Sequence, residues 1–229
     1  LVKTAKSSMT VIMACACAGL ILMSLQTSGL ILKLSNILIA MADGRLWLLM
    51  ILVMIGSLIM GMGLPASACY IILAILAAPS LVALGVPTIG AHLFVLYFGA
   101  MSAITPPVAM AAFAAAPIAE EGAGKIGMTA FKMALPAFLI AFCFGFQPEL
   151  LMIGSWYSIV FVFVNCVLGV AGMSIGIQGY INHKVNIPER ILWVVGGILL
   201  ILPQIALTIA GYVLVVILYI SARKRVVTI

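Results

Sequence analysis

Apolar residues run through this chain in blocks too long for one face of a soluble helix. The first extends from about Met9 to Met41 and is softened only at Gln26-Thr27-Ser28-Gly29. A single plain crossing of a bilayer needs about 20 residues, so this block predicts a helix broken in its middle. Asp43-Gly44-Arg45 follows as a short polar turn. From Leu46 to Ala119 there is no Asp, Glu, Lys or Arg. That stretch is long enough to cross a hydrocarbon core of about 30 Å three times as helix. It is punctuated at Gly61-Met62-Gly63-Leu64-Pro65, at Pro79, at Gly85-Val86-Pro87 and at Thr105-Pro106-Pro107. Polar loops normally separate complete spans, whereas these breaks are apolar or merely small. Non-helical backbone at membrane depth is tolerated only where it is buried in protein or lines a cavity. The pattern therefore predicts a re-entrant hairpin followed by a discontinuous helix.

Polarity returns between Ala119 and Lys132, where Lys125 to Ala134 predicts an amphipathic interfacial helix, with a span from about Leu135 to Gln147 ended by Pro148-Glu149. Trp156 to Gly176 predicts one clean span, in which Gly172 and Gly176 have the spacing that lets membrane helices approach closely. After the polar segment Gln178 to Arg190, Ile191 to Ile220 is apolar and broken at Pro203, as a short hairpin or a kinked span. Six to eight membrane segments are expected.

Composition decides the class. Of the 229 residues, 66% are hydrophobic and 7% charged, and the mean hydropathy is +1.38. Soluble domains carry about 25% charged residues, so lipid has to cover most of this surface. Barrel strands alternate polar and apolar residues and these runs do not, which leaves an all-α integral membrane protein. The net charge of +6 sits at the ends of apolar runs, at Lys3 and Lys6 and at Arg223, Lys224 and Arg225. That placement marks topology and headgroup contact, and no nucleic-acid partner is expected. The five cysteines lie inside apolar runs; a helix would point Cys15 and Cys17 to different sides, which argues against a shared metal. The chain begins at Leu1 without a signal-peptide pattern, and it is expected to be a fragment of a longer polypeptide.

Two motifs carry candidate chemistry. Gly61-Met62-Gly63-Leu64-Pro65-Ala66-Ser67 is either a kink at a packed crossing or a hairpin tip whose freed carbonyls, with the Ser67 hydroxyl, bind an ion. In Ser102-Ala103-Ile104-Thr105-Pro106-Pro107, two prolines remove two donors and force Thr105 out of the α region. That unwinds the chain between Ala91–Met101 and Val108–Pro117. Two such breaks in one charge-free segment favour a transporter binding site over simple kinks. Na⁺ is the expected coupling ion, held by oxygens around Gly61, Gly63, Ser102 and Thr105. Proton-coupled carriers usually place Asp, Glu or His in the membrane, and here only His92 is available, read as a satisfied structural histidine. Enzymatic function is not expected. Gly122-Ala123-Gly124-Lys125 lacks the first glycine and the Ser/Thr of a phosphate loop, and Glu120 and Glu121 read as surface charge.

These residues carry a resemblance. The runs from Gly61 to Pro87, from Ala91 to Ala119 and from Pro136 to Leu151 are similar to the large membrane subunit of tripartite ATP-independent periplasmic (TRAP) transporters, most of all to the type in which small and large subunits are fused. The resemblance covers roughly residues 5–150. It implies half of an inverted-repeat, elevator-type transporter, in the cytoplasmic (inner) membrane of a bacterium or archaeon. The implied activity is Na⁺-driven uptake of an organic anion delivered by a periplasmic solute-binding protein, with a small membrane subunit, separate or fused upstream, as a further partner. It matches Gly61, Gly63, Pro65 and Ser67 to a hairpin tip, and Ser102, Ile104, Thr105, Pro106 and Pro107 to the unwound part of the next helix. Thr27 and Gly29 match a Thr-Gly pair in the preceding helix. No cofactor is implied beyond Na⁺. Ala66 stands where many relatives have Thr, and the first half of the repeat is absent. Residues 1–150 would form this half of the transporter core, and 151–229 a carboxy-terminal extension of two to three helices. Another Na⁺/anion symporter with similar hairpins and a non-transporting membrane scaffold are the alternatives.

Overall fold

The computed structural model describes residues 20, 23, 24, 27–62, 66–181 and 183–227, without the side chains at 31, 32, 34, 183 and 223–227. Packing divides the chain into two compact units, Leu1–Ala114 and Ala115–Ile229.

In the first unit, helix α1 (Leu30–Met41) begins where Gly29 takes a left-handed φ of 67°, a conformation glycine adopts without steric cost. Gln26 lies outside the described residues, but Ser28 and Gly29 form a turn, so the polar middle of the first block is a break. Asp43 and Gly44, both at positive φ, then turn the chain into α2 (Leu46–Gly61) at 116° to the end of α1. Helix α3 (Ala66–Leu76) follows after a gap whose residues 63–65 lie outside the description. The Cys69 thiol reaches the Ser57 carbonyl at 3.9 Å, so α3 folds back along α2 as a hairpin arm. The short α4 (Ala78–Ala83) carries Pro79 in its first turn, where a missing N–H costs nothing. Gly85 at φ 93° and Pro87 lead into α5 (Thr88–Met101), and a 3₁₀ turn spans Ser102–Ile104.

Helix α5 lies at the centre of this unit and packs against α2, α3 and α4. Phe94 and Phe98 are fully buried edge to face, 4.8 Å apart, and the core around them includes Leu49, Met50, Leu73 and Leu81. Lipid is as apolar as these side chains, so in a membrane they hold the helices together by close packing rather than by transfer from water. Two polar pairs tie the helices laterally: the buried hydroxyls of Ser35 and Ser80, 3.0 Å apart, and Tyr70 Oη with His92 Nδ1 at 3.2 Å. His92 is thus a partnered histidine, as the sequence suggested. Helix α6 (Met110–Ala119) completes the discontinuous helix that the Thr105-Pro106-Pro107 break predicts.

The second unit contains α7 (Ala123–Phe146), a 3₁₀ turn at Pro148–Leu151, α8 (Trp156–Gln178), a two-residue antiparallel pair (Tyr180–Ile181 with His183–Lys184), α9 (Ile187–Ile201) and α10 (Ile205–Val227). Helix α7 corrects the sequence reading. Lys125–Ala134 is not a separate interfacial helix, because the chain continues without a break through Pro136 to Phe146. A helix-interior proline removes one backbone bond. No glycine adjoins Pro136 to open the chain further, and Phe131 and Phe138 pack across it with centroids 5.7 Å apart.

Helix α8 occupies and slightly exceeds the expected span, with the Ser155 hydroxyl accepting the Ser158 N–H as its cap. Its glycines do what their spacing suggests. A methyl carbon at Gly172 would lie 3.5 Å from the Trp193 carbonyl, and one at Gly169 would lie 2.8 Å from that of Gly197. Here α8 and α9 approach backbone to backbone. Gly196 faces Val215 while Gly211 faces Leu200, so α9 and α10 form an antiparallel hairpin about Pro203 rather than one kinked span.

Among the described residues, three helices are long and apolar enough to cross a membrane, at Ala123–Phe146, Trp156–Gln178 and Ile205–Ala222, with the bent α1–α2 pair a possible fourth. The other apolar helices of the first unit are shorter, as broken and re-entrant segments require. The chain is an all-α integral membrane helical protein that passes the membrane several times.

Candidate ion and substrate site

The two breaks meet. A methyl carbon placed on Gly61, the last residue of α2, would lie 2.6 Å from Ser102 Cβ and 3.0 Å from the Gly99 carbonyl oxygen. Only glycine lets α2 end this close to the 3₁₀ turn. Gly61 is buried and Ser102 is 1% exposed. Ser57, one turn before Gly61 and fully buried, donates its hydroxyl to the Val53 carbonyl at 2.6 Å. Cys69 lies against both Ser57 and Gly99: a methyl on Gly99 would sit 3.3 Å from its sulfur. The result is a buried nest of small residues from α2, α3 and the end of α5.

Helix α5 loosens here for a reason written in the sequence. Residues 106 and 107 are prolines, so the carbonyls of Ser102 and Ala103 lose their α-helical donors. Thr105 N–H turns instead to the Ser102 carbonyl at 3.2 Å, closing a 3₁₀ turn, and Ala109 N–H returns to the Thr105 carbonyl at 3.2 Å. The Pro106–Pro107 peptide is cis, and Ala109 stands at φ 45°, a left-handed conformation that a non-glycine residue seldom adopts. Both hydroxyls of the motif bond back into the preceding turn. Ser102 Oγ donates to the Gly99 carbonyl at 2.6 Å and Thr105 Oγ1 to the Met101 carbonyl at 2.7 Å. A hydroxyl that spends its proton this way keeps its lone pairs. The site therefore offers neutral oxygen acceptors to a cation, without any carboxylate on the elements that build it.

The sequence-predicted residues divide as follows. Gly61 and Ser102 are brought into contact, and Thr105, 6% exposed, is one turn further along. Ile104 and Pro106 are half-buried, and Pro107 is exposed. Ser67 is exposed in the first turn of α3. Gly63 and Pro65 lie outside the described residues. In the preceding helix, Thr27 Oγ1 donates to the Met23 carbonyl at 2.9 Å and Gly29 makes the turn. Ser57, Cys69 and Gly99 were not singled out as part of the site. The signals were available, since Ser57 precedes Gly61 by one helical turn and Gly99 precedes Ser102 by three residues.

A multi-pass membrane protein with a hairpin, a discontinuous helix and small, neutral, oxygen-bearing breaks that converge has the construction of a secondary transporter core. Residues 1–153 match the family described as "Tripartite ATP-independent periplasmic transporter, DctM component". That match covers two thirds of the chain, and the chain belongs to this family, the large membrane component of TRAP transporters. Neither the curated proteins nor the solved structures give a match. Membership brings TRAP-type secondary transport, with a periplasmic solute-binding protein and a small membrane subunit as partners. It also decides against an unrelated symporter or a plain scaffold. This is a family of transporter components rather than of enzymes.

Proposed function

We propose that the chain forms part of a Na⁺-coupled carrier of organic anions in the inner membrane of a bacterium or archaeon, and that Gly61, Ser102 and Thr105 form its ion site. The observation that carries the reading is the contact of Gly61 with Ser102. It joins the end of α2 to the unwound end of α5, where carbonyl and hydroxyl oxygens concentrate. Hard cations take oxygen ligands, and hydroxyl and carbonyl oxygens suffice for a singly charged one. Cys69, the titratable group packed against Gly99 and Ser57, is a poor proton carrier at neutral pH. Coupling through Na⁺ rather than H⁺ follows from that chemistry.

The anion needs positive potential without a basic side chain, since no Lys or Arg occurs from Leu46 to Ala119. The positive ends of the helix dipoles at the start of α3, beside the exposed Ser67 hydroxyl, and at the start of α6 would supply it. Gly63, Pro65, Ile104, Pro106 and Pro107 would shape the two tips.

The test is uptake by the full-length transporter in proteoliposomes with its binding protein. Thr105→Val and Ser102→Ala should each lower apparent Na⁺ affinity at least tenfold, while Thr105→Ser retains it. Unaltered Na⁺ dependence in both variants would remove the assignment.

A further inference from the structure

At one end of the second unit the carboxy ends of α7 and α9 and the amino ends of α8 and α10 line an open cleft of about 560 Å³, a volume typical of small-molecule sites. Three of its polar side chains are more than nine-tenths buried: Gln147 at 6% exposure, Asn165 at 5% and Thr208 at 3%. Gln147 Nε2 donates to the Ile201 carbonyl at 2.5 Å, which fixes Oε1 as the end of the amide left to accept. Asn165 Oδ1 accepts the Tyr212 hydroxyl at 2.6 Å, leaving its Nδ2 donors. Glu149, half-buried on the 3₁₀ turn, adds a carboxylate to the lining. Among the described residues no Lys, Arg or His lines the cavity, and no cationic side chain pairs with Glu149. Tyr157 and Phe161 add aromatic rings to the lining.

A carboxylate and an amide oxygen beside aromatic rings, with no base present and the two helix amino ends offset by two carboxy ends, favour an organic cation over an anion. We propose that this cavity binds a small ammonium compound, with the ammonium held by Glu149, Gln147 Oε1 and the Tyr157 ring. The Asn165 amide would donate to a neutral oxygen of the same compound, as in an ethanolamine group. The group arrives either as a free amine or as the headgroup of a membrane lipid. Its charge is opposite to that of the anion proposed as cargo, so the cavity is a separate site and stands or falls independently of the ion site.

The full chain, purified in detergent and stripped of lipid, is titrated calorimetrically with ethanolamine and tetramethylammonium at constant ionic strength, with sodium acetate as the anionic control. In parallel it is extracted from phosphatidylcholine vesicles with and without phosphatidylethanolamine, and retained lipid is read by native mass spectrometry. Saturable ethanolamine binding identifies a soluble source, and selective retention of phosphatidylethanolamine identifies a lipid one; either supports the proposal. Glu149→Gln should weaken binding at least tenfold. Tyr157→Leu, at a residue 86% exposed where folding is not at stake, should weaken it about threefold. The proposal is overturned if neither form binds, if acetate binds as well as the amines, or if both variants bind like the parent chain.

Discussion

Replacing Gly61 by alanine adds one methyl group at the point where the two breaks touch. The new carbon would sit 2.6 Å from Ser102 Cβ, against a favourable carbon–carbon separation of about 3.5–4.0 Å. About 1 Å has to be recovered. Ser102 Cβ is bonded directly to the backbone and does not swing aside, and the Gly99 carbonyl, 3.0 Å away, blocks the flank. Overpacking of this kind costs about 1–3 kcal/mol, of which alanine's better helix propensity returns about 0.5–1 kcal/mol. A net loss of about 1–2 kcal/mol is expected, together with a shift of the Ser102 oxygen that a cation ligand does not tolerate. The assay is thermal unfolding of the full-length protein in detergent across a Na⁺ titration. Gly61→Ala should melt earlier and lose most of the stabilisation that Na⁺ gives the parent. Gly56→Ala is the internal control, since a methyl on Gly56, in the same helix, meets nothing within 4 Å. It should melt at or slightly above the parent, by that same gain in helix propensity, and keep the parent's response to Na⁺. The double variant Gly61→Ala, Ser102→Gly removes the obstacle, and should recover stability without recovering the response to Na⁺. A Gly61→Ala protein with the parent's melting temperature and the parent's Na⁺ response would refute the packing and the site together.

Two further outcomes follow from the same geometry. With no carboxylate between Leu46 and Ala119, a protonophore that collapses the pH gradient should leave Na⁺-driven uptake intact when membrane potential is clamped; loss of uptake under that clamp would point to proton coupling instead. In the second unit, a methyl on Gly197 would fall 2.5 Å from the Gly169 carbonyl and 2.9 Å from the Met173 nitrogen, so Gly197→Ala has to push α8 and α9 apart. A loss of about 2–3 kcal/mol is expected, seen as an earlier melt and faster proteolysis of the 180–186 connection, whereas a parent-like melt would mean that the helices are not packed at this distance.

What the sequence disclosed and what it withheld divide along the range of the physics involved. The breaks were legible because proline and glycine act on their own backbone: Pro106 and Pro107 deny donors to carbonyls four residues back whatever surrounds them, and Gly29 and Gly85 permit left-handed turns locally. The continuity of α7 through Pro136 has the same logic seen from the other side. A single proline removes one bond, and whether the helix survives depends on the packing across it, here by Phe131 and Phe138, which is not a local property. The site itself needed two helices in phase. Gly61 and Gly63 stand two residues apart and point to different sides of any helix that includes them, so the sequence could nominate both without disclosing that Gly61 meets Ser102. The cavity of the second unit was further out of reach. Its buried polar residues, Gln147, Asn165 and Thr208, are each unremarkable alone in an apolar run, and only the antiparallel return of α8, α9 and α10 brings them to one end. A polar residue inside a hydrophobic span is expensive to bury. Three of them at one end of the same unit, each with a fixed partner and two with amide groups left over, therefore carry more information about function than the charge-free stretch could carry by composition alone.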